Sequence, residues 1–295
     1  MKTLAIIDPT SMVGNMIFQE LKNSTKFVLV CKDRSDIELL ELSHGGTEDH
    51  DVVLFDVLEL FEDYTYGFNT ELFGPKTKNL INQIGQVDSV INCMTIVKPH
   101  LLKNMTATYF INATLPHLLS RIFSKRLIHL STDCVFSGIS GSPFSENASV
   151  SPNDLYGLTR SLGESYKQSL VLRASTIGPE IKNFDSLFAW VKKHDGQSIK
   201  GFTRHMWNGI TTRQFALIIK SIINNRDQYP DHGLFHIFGS DISKFDMITA
   251  IVKKFKIKVD ISPDDSQILD RRLRTVNTLN QQLRIPSFNE MVSML

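Results

Sequence analysis

Cysteine is scarce, with three in 295 residues: Cys31, Cys93 and Cys134. They are far apart and each sits in an apolar, strand-like stretch. That excludes a disulfide frame or a zinc site and predicts reduced, buried thiols. Net charge is also nearly absent, at +1, so nothing points to a nucleic-acid or membrane partner. No apolar run approaches membrane-spanning length, and Met1 leads straight into a strand-like segment, so a cytoplasmic protein is expected. The glycosylation sequons at Asn23, Asn104, Asn112 and Asn147 are then chance matches. Repeats, low-complexity tracts and hydrophilic linkers are missing as well. What remains is 42% hydrophobic and 21% charged, a globular chain long enough for a large core and two lobes.

Short apolar runs alternate with helical patterns. Leu4–Ile7, Phe27–Cys31, Val52–Val57, Val87–Cys93, Leu127–Leu130, Ser169–Ala174 and Gly233–Phe238 read as strands buried on both faces. Helical spacing follows the first strand through Ile17, Phe18 and Leu21. It returns after an irregular lead-in within Leu58–Gly85, then over Met105–Phe123, Phe184–Lys193, Gln214–Ile223 (capped by Thr211 or Thr212) and Ser243–Phe255. Val259–Ile261 is a further short strand. This alternation predicts an α/β fold with a mostly parallel sheet.

The first β-α-β unit places Asp8-Pro9-Thr10-Ser11-Met12-Val13-Gly14 where a dinucleotide pyrophosphate is normally cradled. Gly14 stands at the third glycine position, whereas Asp8 and Ser11 occupy the first two. Ser11, Met12, Val13 and Gly14 are therefore candidate cofactor residues. Lys32 and Arg34, flanking Asp33 at the second strand end, are either a solvated charged turn or a site for a 2′-phosphate. Asp56 and Val57 end the third strand, where adenine is often contacted; Asn92 and Cys93 end the fourth. Asn112 is either an ordinary helix-interior residue or one that holds an active-site water or backbone. The densest polar signal runs from Ile128 to Glu164, where Ser131-Thr132-Asp133-Cys134 precedes Leu155-Tyr156-Gly157-Leu158-Thr159-Arg160. One helical turn sets Tyr156 and Arg160 on the same face. A phenol beside a fixed cation and a hydroxyl is a proton-transfer device.

Several motifs together resemble the extended short-chain dehydrogenase/reductases, within them the dTDP-4-dehydrorhamnose reductase-like group. They are Val90-Ile91-Asn92-Cys93, Leu130-Ser131-Thr132-Asp133-Cys134-Val135-Phe136-Ser137-Gly138 and Pro143-Phe144-Ser145-Glu146, then Leu155-Tyr156-Gly157 with Gly163-Glu164, and Leu172-Arg173-Ala174. The resemblance implies a Rossmann-like doubly wound parallel sheet with a smaller C-terminal α/β substrate lobe. Residues 1–175 and 208–240 would form the dinucleotide lobe, and residues 176–207 and 241–295 the interleaved substrate lobe. It implies an NAD(P)H-dependent reductase of a nucleotide-activated 4-keto-6-deoxy or 2-acetamido-2,6-dideoxy hexose in deoxysugar and polysaccharide biosynthesis. The substrate is UDP- or dTDP-linked, NADP(H) is preferred with NAD(H) admitted, and a homodimer is admitted as the assembly.

In that reading Tyr156 donates a proton to the sugar oxygen and Thr132 orients the same oxygen. Arg160 replaces the family's Lys as the cation beside the phenol and the nicotinamide ribose, and Asn112 matches the family's helix Asn. The cation is expected to bring Tyr156 nearer neutrality. Asp133, Val135, Trp207 and Arg271 are substrate-side candidates, although a lone Trp is as readily core. Lys200, Arg204, Arg271 and Arg272 could fork a diphosphate or be solvated surface charge. The substituted glycine loop and Arg160 leave a second reading open. It is a catalytically impaired regulatory protein on the same fold, binding a dinucleotide or a sugar nucleotide.

Overall fold

A computed structural model describes residues 1–66 and 73–295. Seven strands form the central sheet: β1 (Thr3–Ile7), β2 (Lys26–Cys31), β3 (Asp51–Leu54), β4 (Ser89–Asn92), β5 (Leu127–Ser131), β6 (Leu170–Arg173) and β7 (Gly233–His236). Their spatial order is β7-β6-β5-β4-β1-β2-β3. Every neighbouring pair is parallel. The order reverses between β1 and β4, and the crevice outside the carboxyl ends at such a switch point is where open α/β sheets take ligand. The Rossmann-like doubly wound sheet expected from the sequence is present. Strands β1, β2, β4 and β6 are buried on both faces because helices cover both, whereas edge strand β3 is mostly exposed.

One face is closed by α1 (Met12–Leu21) and α9 (Thr212–Asn224), which bury Ile17, Phe18 and Leu21 against Phe215, Ile219 and Ile222. The other is closed by α4 (Pro75–Ile84) and by the stretch made of α5 (Met105–Tyr109), a π-turn (Phe110–Thr114) and α6 (Leu115–Phe123). The continuous helix expected over Met105–Phe123 is thus interrupted in its middle. The lead-in expected within Leu58–Gly85 includes a 3-10 turn (Val57–Glu59) and α3 (Leu60–Tyr66); positions 67–72 of that expectation lie outside the described residues. Helix α2 (Arg34–His44) has no counterpart in the sequence reading, nor do the short helices Leu279–Gln282 and Phe288–Ser293. Helix α2 buries only Asp36 and Leu40, so its apolar stripe is too sparse to register as a period.

Two boundaries shift for local reasons. The third strand ends at Leu54, before Val57, because the Asp56 carboxylate accepts the Leu58 amide at 3.0 Å and turns the chain. The helix expected from Phe184 begins at Leu187, as α8 (Leu187–Lys193), because Asn183 and Phe184 both have left-handed backbones (φ 67° and 57°). Ser243 caps α10 (Lys244–Phe255), and Thr211 caps α9.

The segments 176–207 and 241–295 pair with each other through short strands. Ser198–Phe202 runs parallel to Asp260–Asp264, and His205–Trp207 lies between Ile242–Ser243 and Leu269–Asp270. Glu146 links the middle of the chain to its end: it accepts the His236 amide, the Thr275 hydroxyl and the Val276 amide.

Candidate active site

A cleft of about 560 Å³ opens at the carboxyl ends of β1, β4 and β5. It runs from the Asp8–Ser11 loop past Thr132 and Tyr156 to a strap that includes Lys182.

At its head, Asp8 adopts φ 63°, the left-handed conformation a glycine would supply and that Asp tolerates better than most residues. Ser11 caps α1, since its hydroxyl accepts the Gly14 amide at 3.1 Å and donates to the Asp8 carbonyl at 2.8 Å. Gly14 admits no side chain, because a Cβ would lie 2.3 Å from the Asp8 carbonyl oxygen. Met12 and Val13 line the cleft, and as the first helical residues their amides have no intrahelical acceptor. The Asp8 carboxylate accepts the Thr10 hydroxyl at 3.0 Å. Nearby Asp36 takes the Lys182 ammonium at 2.6 Å and the Lys32 amide at 2.9 Å. Burial, with Asp36 adding repulsion, pushes the Asp8 pKa from 3.8 up to about 6.

The middle of the cleft is built on β5. Thr132 caps a 3-10 turn (Asp133–Val135) by accepting the Cys134 amide at 3.2 Å, and remains 7% exposed. Opposite stands α7 (Leu155–Leu162), capped by Asp154. Gly157 lets the two approach, as a Cβ there would come within 2.1 Å of the Cys134 carbonyl oxygen. Tyr156 and Thr132 therefore line one cleft, although 24 residues of chain numbering separate them. Burial raises the Tyr156 pKa, with Arg160 and the Thr95 hydroxyl opposing. The expected drift toward neutrality does not occur, because desolvation of the phenolate outweighs the cation. A phenol that stays protonated is suited to giving a proton away.

Arg160 is 3% exposed and lines the same cleft. Its Nη2 donates to the Leu130 carbonyl, whereas Nε and Nη1 are buried without a partner among the described residues. Unmet donors of a buried cation facing a cleft are costly unless a ligand takes them. Together with the open amides of Met12 and Val13, they fit a nicotinamide dinucleotide lying along the β1 side of the cleft.

The other named residues fall at different depths. Asn92 donates to His129 at 3.2 Å and accepts the Met94 amide at 3.1 Å, and Cys93 lines the cleft. Asn112 sits in the π-turn, wholly buried. It accepts the Ile96 amide at 2.8 Å and donates to the Ile96 carbonyl at 2.9 Å and to Thr159 at 3.2 Å. It thereby ties the loop after β4 to α7 from behind. Lys32 pairs with Asp56 at 3.4 Å and Arg34 is exposed; neither they nor Val57 line the cleft. Asp133 lines it, with its carboxyl raised by burial against the opposing Arg271. Val135 is wholly buried against Phe136, Phe144 and Leu273. Arg271 donates to the Phe136 carbonyl at 2.9 Å and to Asn153 at 3.1 Å. Trp207 donates to Ser175 at 2.7 Å, packs edge-on against Phe288 and lines a smaller side chamber.

Two groups escaped the sequence reading. The Asp8–Thr10–Asp36–Lys182 cluster includes a pair, Asp36 and Lys182, 146 residues apart in the chain, which no local pattern marks. Beneath β5, Glu164 and Arg173 form a buried two-point ion pair at 2.6 Å, and Glu164 also accepts the Ser131 hydroxyl at 2.6 Å. Both belong to motifs noted in the sequence, but their role as a prop for the Ser131–Thr132 turn needs the fold.

Comparison with known proteins agrees with this arrangement. The chain is similar to a dTDP-4-keto-6-deoxy-D-glucose reductase of Streptomyces niveus, 54% identical over 41 residues, 14% of each protein. It is also similar to the spore coat polysaccharide biosynthesis protein SpsK of Bacillus subtilis, 25% identical over 198 residues, covering 60% of this chain and 64% of that one. These matches span less than two thirds of either relative. A solved dTDP-4-dehydrorhamnose reductase of Bacillus anthracis in complex with NADP shares the fold, with a TM-score of 0.69 at 18% identity over 100% of this chain and 98% of that one. A family model described as the RmlD substrate binding domain matches residues 76–281, the greater part of the sequence, and the chain belongs to that family.

Proposed function

We propose that the protein is an NADPH-dependent reductase of a nucleotide-activated 4-keto-6-deoxy hexose, including 2-acetamido-2,6-dideoxy forms, serving deoxysugar and polysaccharide biosynthesis. The observation that carries this reading is that Thr132, Tyr156, Arg160 and the open end of α1 line one cleft. The printed activities of the relatives point the same way.

A bound nicotinamide dinucleotide supplies the hydride. Met12 and Val13 would hold its phosphates by their amides, and Arg160 would offer its spare donors to the ribose. Tyr156 gives its phenolic proton to the carbonyl oxygen of the keto-sugar. Thr132 donates a hydrogen bond to the same oxygen, which orients it and stabilises its growing charge. Asn112 keeps the loop of Thr95 and Ile96 in place behind the phenol. Asp33 spends its carboxylate on the cap of α2, leaving exposed Arg34, and Lys32 once drawn from Asp56, as the charges for a 2′-phosphate, so NADP(H) is preferred over NAD(H). Residues 1–175 and 208–240 take the dinucleotide; residues 176–207 and 241–295 take the UDP- or dTDP-linked sugar. Exposed apolar side chains on α5 and α7, namely Tyr109, Leu158 and Leu162, support a homodimer.

Nicotinamide fluorescence during titration with NADPH and NADH tests the cofactor assignment; no binding of either at millimolar concentration sinks it. Turnover of a dTDP- or UDP-4-keto-6-deoxy sugar then tests the reaction. The Asp8 carboxylate at the head of the cleft favours a second reading, a regulatory protein that binds the sugar nucleotide without reducing it. Binding of the sugar nucleotide with no binding of NADPH would select that reading.

A further inference from the structure

Of the cations that the sequence offers for a substrate diphosphate, Arg204 is exposed and lines neither the cleft nor the side chamber, and the other three are committed elsewhere. Lys200 pairs with Asp264 at 3.3 Å. Arg272 is forked onto Asp270, at 2.7 Å from Nη2 and 3.0 Å from Nε, and also reaches Asp241. Arg271 is spent on the Phe136 carbonyl and Asn153. A phosphate approaching Lys200 or Arg272 would have to displace a carboxylate.

Lys244 differs from these. It is half-buried at the first position of α10 and makes no ion pair among the described residues; its ammonium lies 5.7 Å from the centre of the Phe202 ring. With His205 and Trp207 it lines a side chamber of about 190 Å³. No acidic residue lines this chamber among the described residues. The chamber shares Ser175, Thr176, Ser186 and Leu187 with the main cleft, so a ligand seated at Thr132 and Tyr156 can extend into it. Its volume falls below the roughly 300 Å³ of a pocket for a whole drug-sized ligand, so it suits one portion of a larger molecule.

The electrostatics select the sign of that portion. Burial lowers the Lys244 pKa. It also pushes His205 down to about 4, helped by Lys244 and Arg271. For Lys244 this is positive charge held away from water with no ion-pair partner among the described residues, which an anionic ligand would relieve; His205, whose lowering Asp270 opposes, stays neutral beside it as a hydrogen-bonding group. The amino end of α10 adds its partial positive charge on the same side.

We propose that Lys244, with His205 beside it, holds the diphosphate of the sugar nucleotide whose sugar lies at Thr132 and Tyr156. This rests on the nucleotide-sugar reading above and names the part of the substrate that the side chamber recognises. Trp207, fixed by Ser175 and Phe288, forms the rigid wall against which the diphosphate is placed.

Calorimetric titration of the full chain tests the assignment, with dTDP and UDP as probes, thymidine and uridine as uncharged comparators, and NADPH as the control. The variants are Lys244→Ala, Lys244→Met (which keeps the stem against Phe202) and Lys244→Arg. The expected result is a loss of nucleoside diphosphate affinity of about 10- to 100-fold in the Ala and Met variants, the range for a hydrogen bond to a charged group. NADPH affinity stays within about twofold, and Lys244→Arg recovers most of the loss. Unchanged dTDP and UDP affinity in Lys244→Met overturns the assignment, as does an equal loss for NADPH. If the wild-type protein reduces a keto-sugar while Lys244→Met binds dTDP normally, only the Lys244 site fails. If the wild-type protein binds neither diphosphate, the site and the nucleotide-sugar reading fall together. If Lys244 governs diphosphate binding but no keto-sugar is reduced, the site stands and the reductase reading falls.

Discussion

Replacing Asp8 by Asn examines the loop at the head of the cleft. The native carboxyl sits on a left-handed backbone, accepts the Thr10 hydroxyl at 3.0 Å and is raised from 3.8 to about 6, mainly by burial and secondarily by Asp36. Between those two values the folded protein keeps a proton that the unfolded chain has lost. Folding is therefore favoured at the acid side, and that advantage disappears as the pH rises through 6. At about 1.4 kcal/mol per pH unit, the interval corresponds to roughly 3 kcal/mol. The side chain keeps some solvent contact through the cleft, which reduces the working figure to about 1–2 kcal/mol. Asn is uncharged, accepts the same hydroxyl and tolerates the left-handed backbone. Urea denaturation of Asp8→Asn and the native protein across pH 4.5 to 7.5 should show a stability gain that widens to about 1–2 kcal/mol above pH 6 and then stays flat. Parallel curves with a constant gap would refute the raised pKa. Removing this negative charge from beside the open amides of α1 should also tighten NADPH binding above pH 6, read by nicotinamide fluorescence.

Tyr156→Phe should lower turnover of a 4-keto sugar nucleotide by about 10²- to 10⁴-fold while leaving NADPH affinity nearly unchanged, and retained turnover would remove the phenol from the reaction. Arg160→Lys should keep or raise activity, because Lys keeps the charge and carries fewer donors to satisfy in the same buried space; steady-state kinetics decide this, and complete loss would mean the pocket is built around the guanidinium. Arg173→Met leaves Glu164 charged and unpaired beneath Ser131, so the midpoint of urea unfolding should fall by the equivalent of about 3–5 kcal/mol. A loss under about 1 kcal/mol would show that the Glu164–Arg173 pair does not hold the turn.

Much of this molecule is legible without coordinates, for identifiable reasons. The strands of a parallel sheet are buried on both faces, so Leu4–Ile7 and Phe27–Cys31 stand out as unbroken apolar runs, and their alternation with helices dictates the doubly wound topology. Thr132 and Tyr156 are likewise visible, since each sits in a local motif at a strand end or a helix start. Helix α2 is not legible, because only Asp36 and Leu40 of its residues are buried. Nor is the sense of the Tyr156 shift, since the sequence shows the nearby cation but not the desolvation that outweighs it.

Which charges are free is decided by tertiary structure alone. Lys200, Arg271, Arg272 and Lys244 look alike in the sequence. Folding brings Asp264 to the first, the Phe136 carbonyl and Asn153 to the second, and Asp270 and Asp241 to the third. Lys244 is left facing a chamber that no carboxylate lines among the described residues. In the same way folding carries Lys182 to Asp36 across 146 residues. Hydrophobic periodicity is a local property that the chain displays one segment at a time, whereas a charge finds its partner only where distant segments meet. The sequence by itself therefore determined the sheet, the cleft's location and the Thr132–Tyr156 pair, and the tertiary structure decided the electrostatics around them.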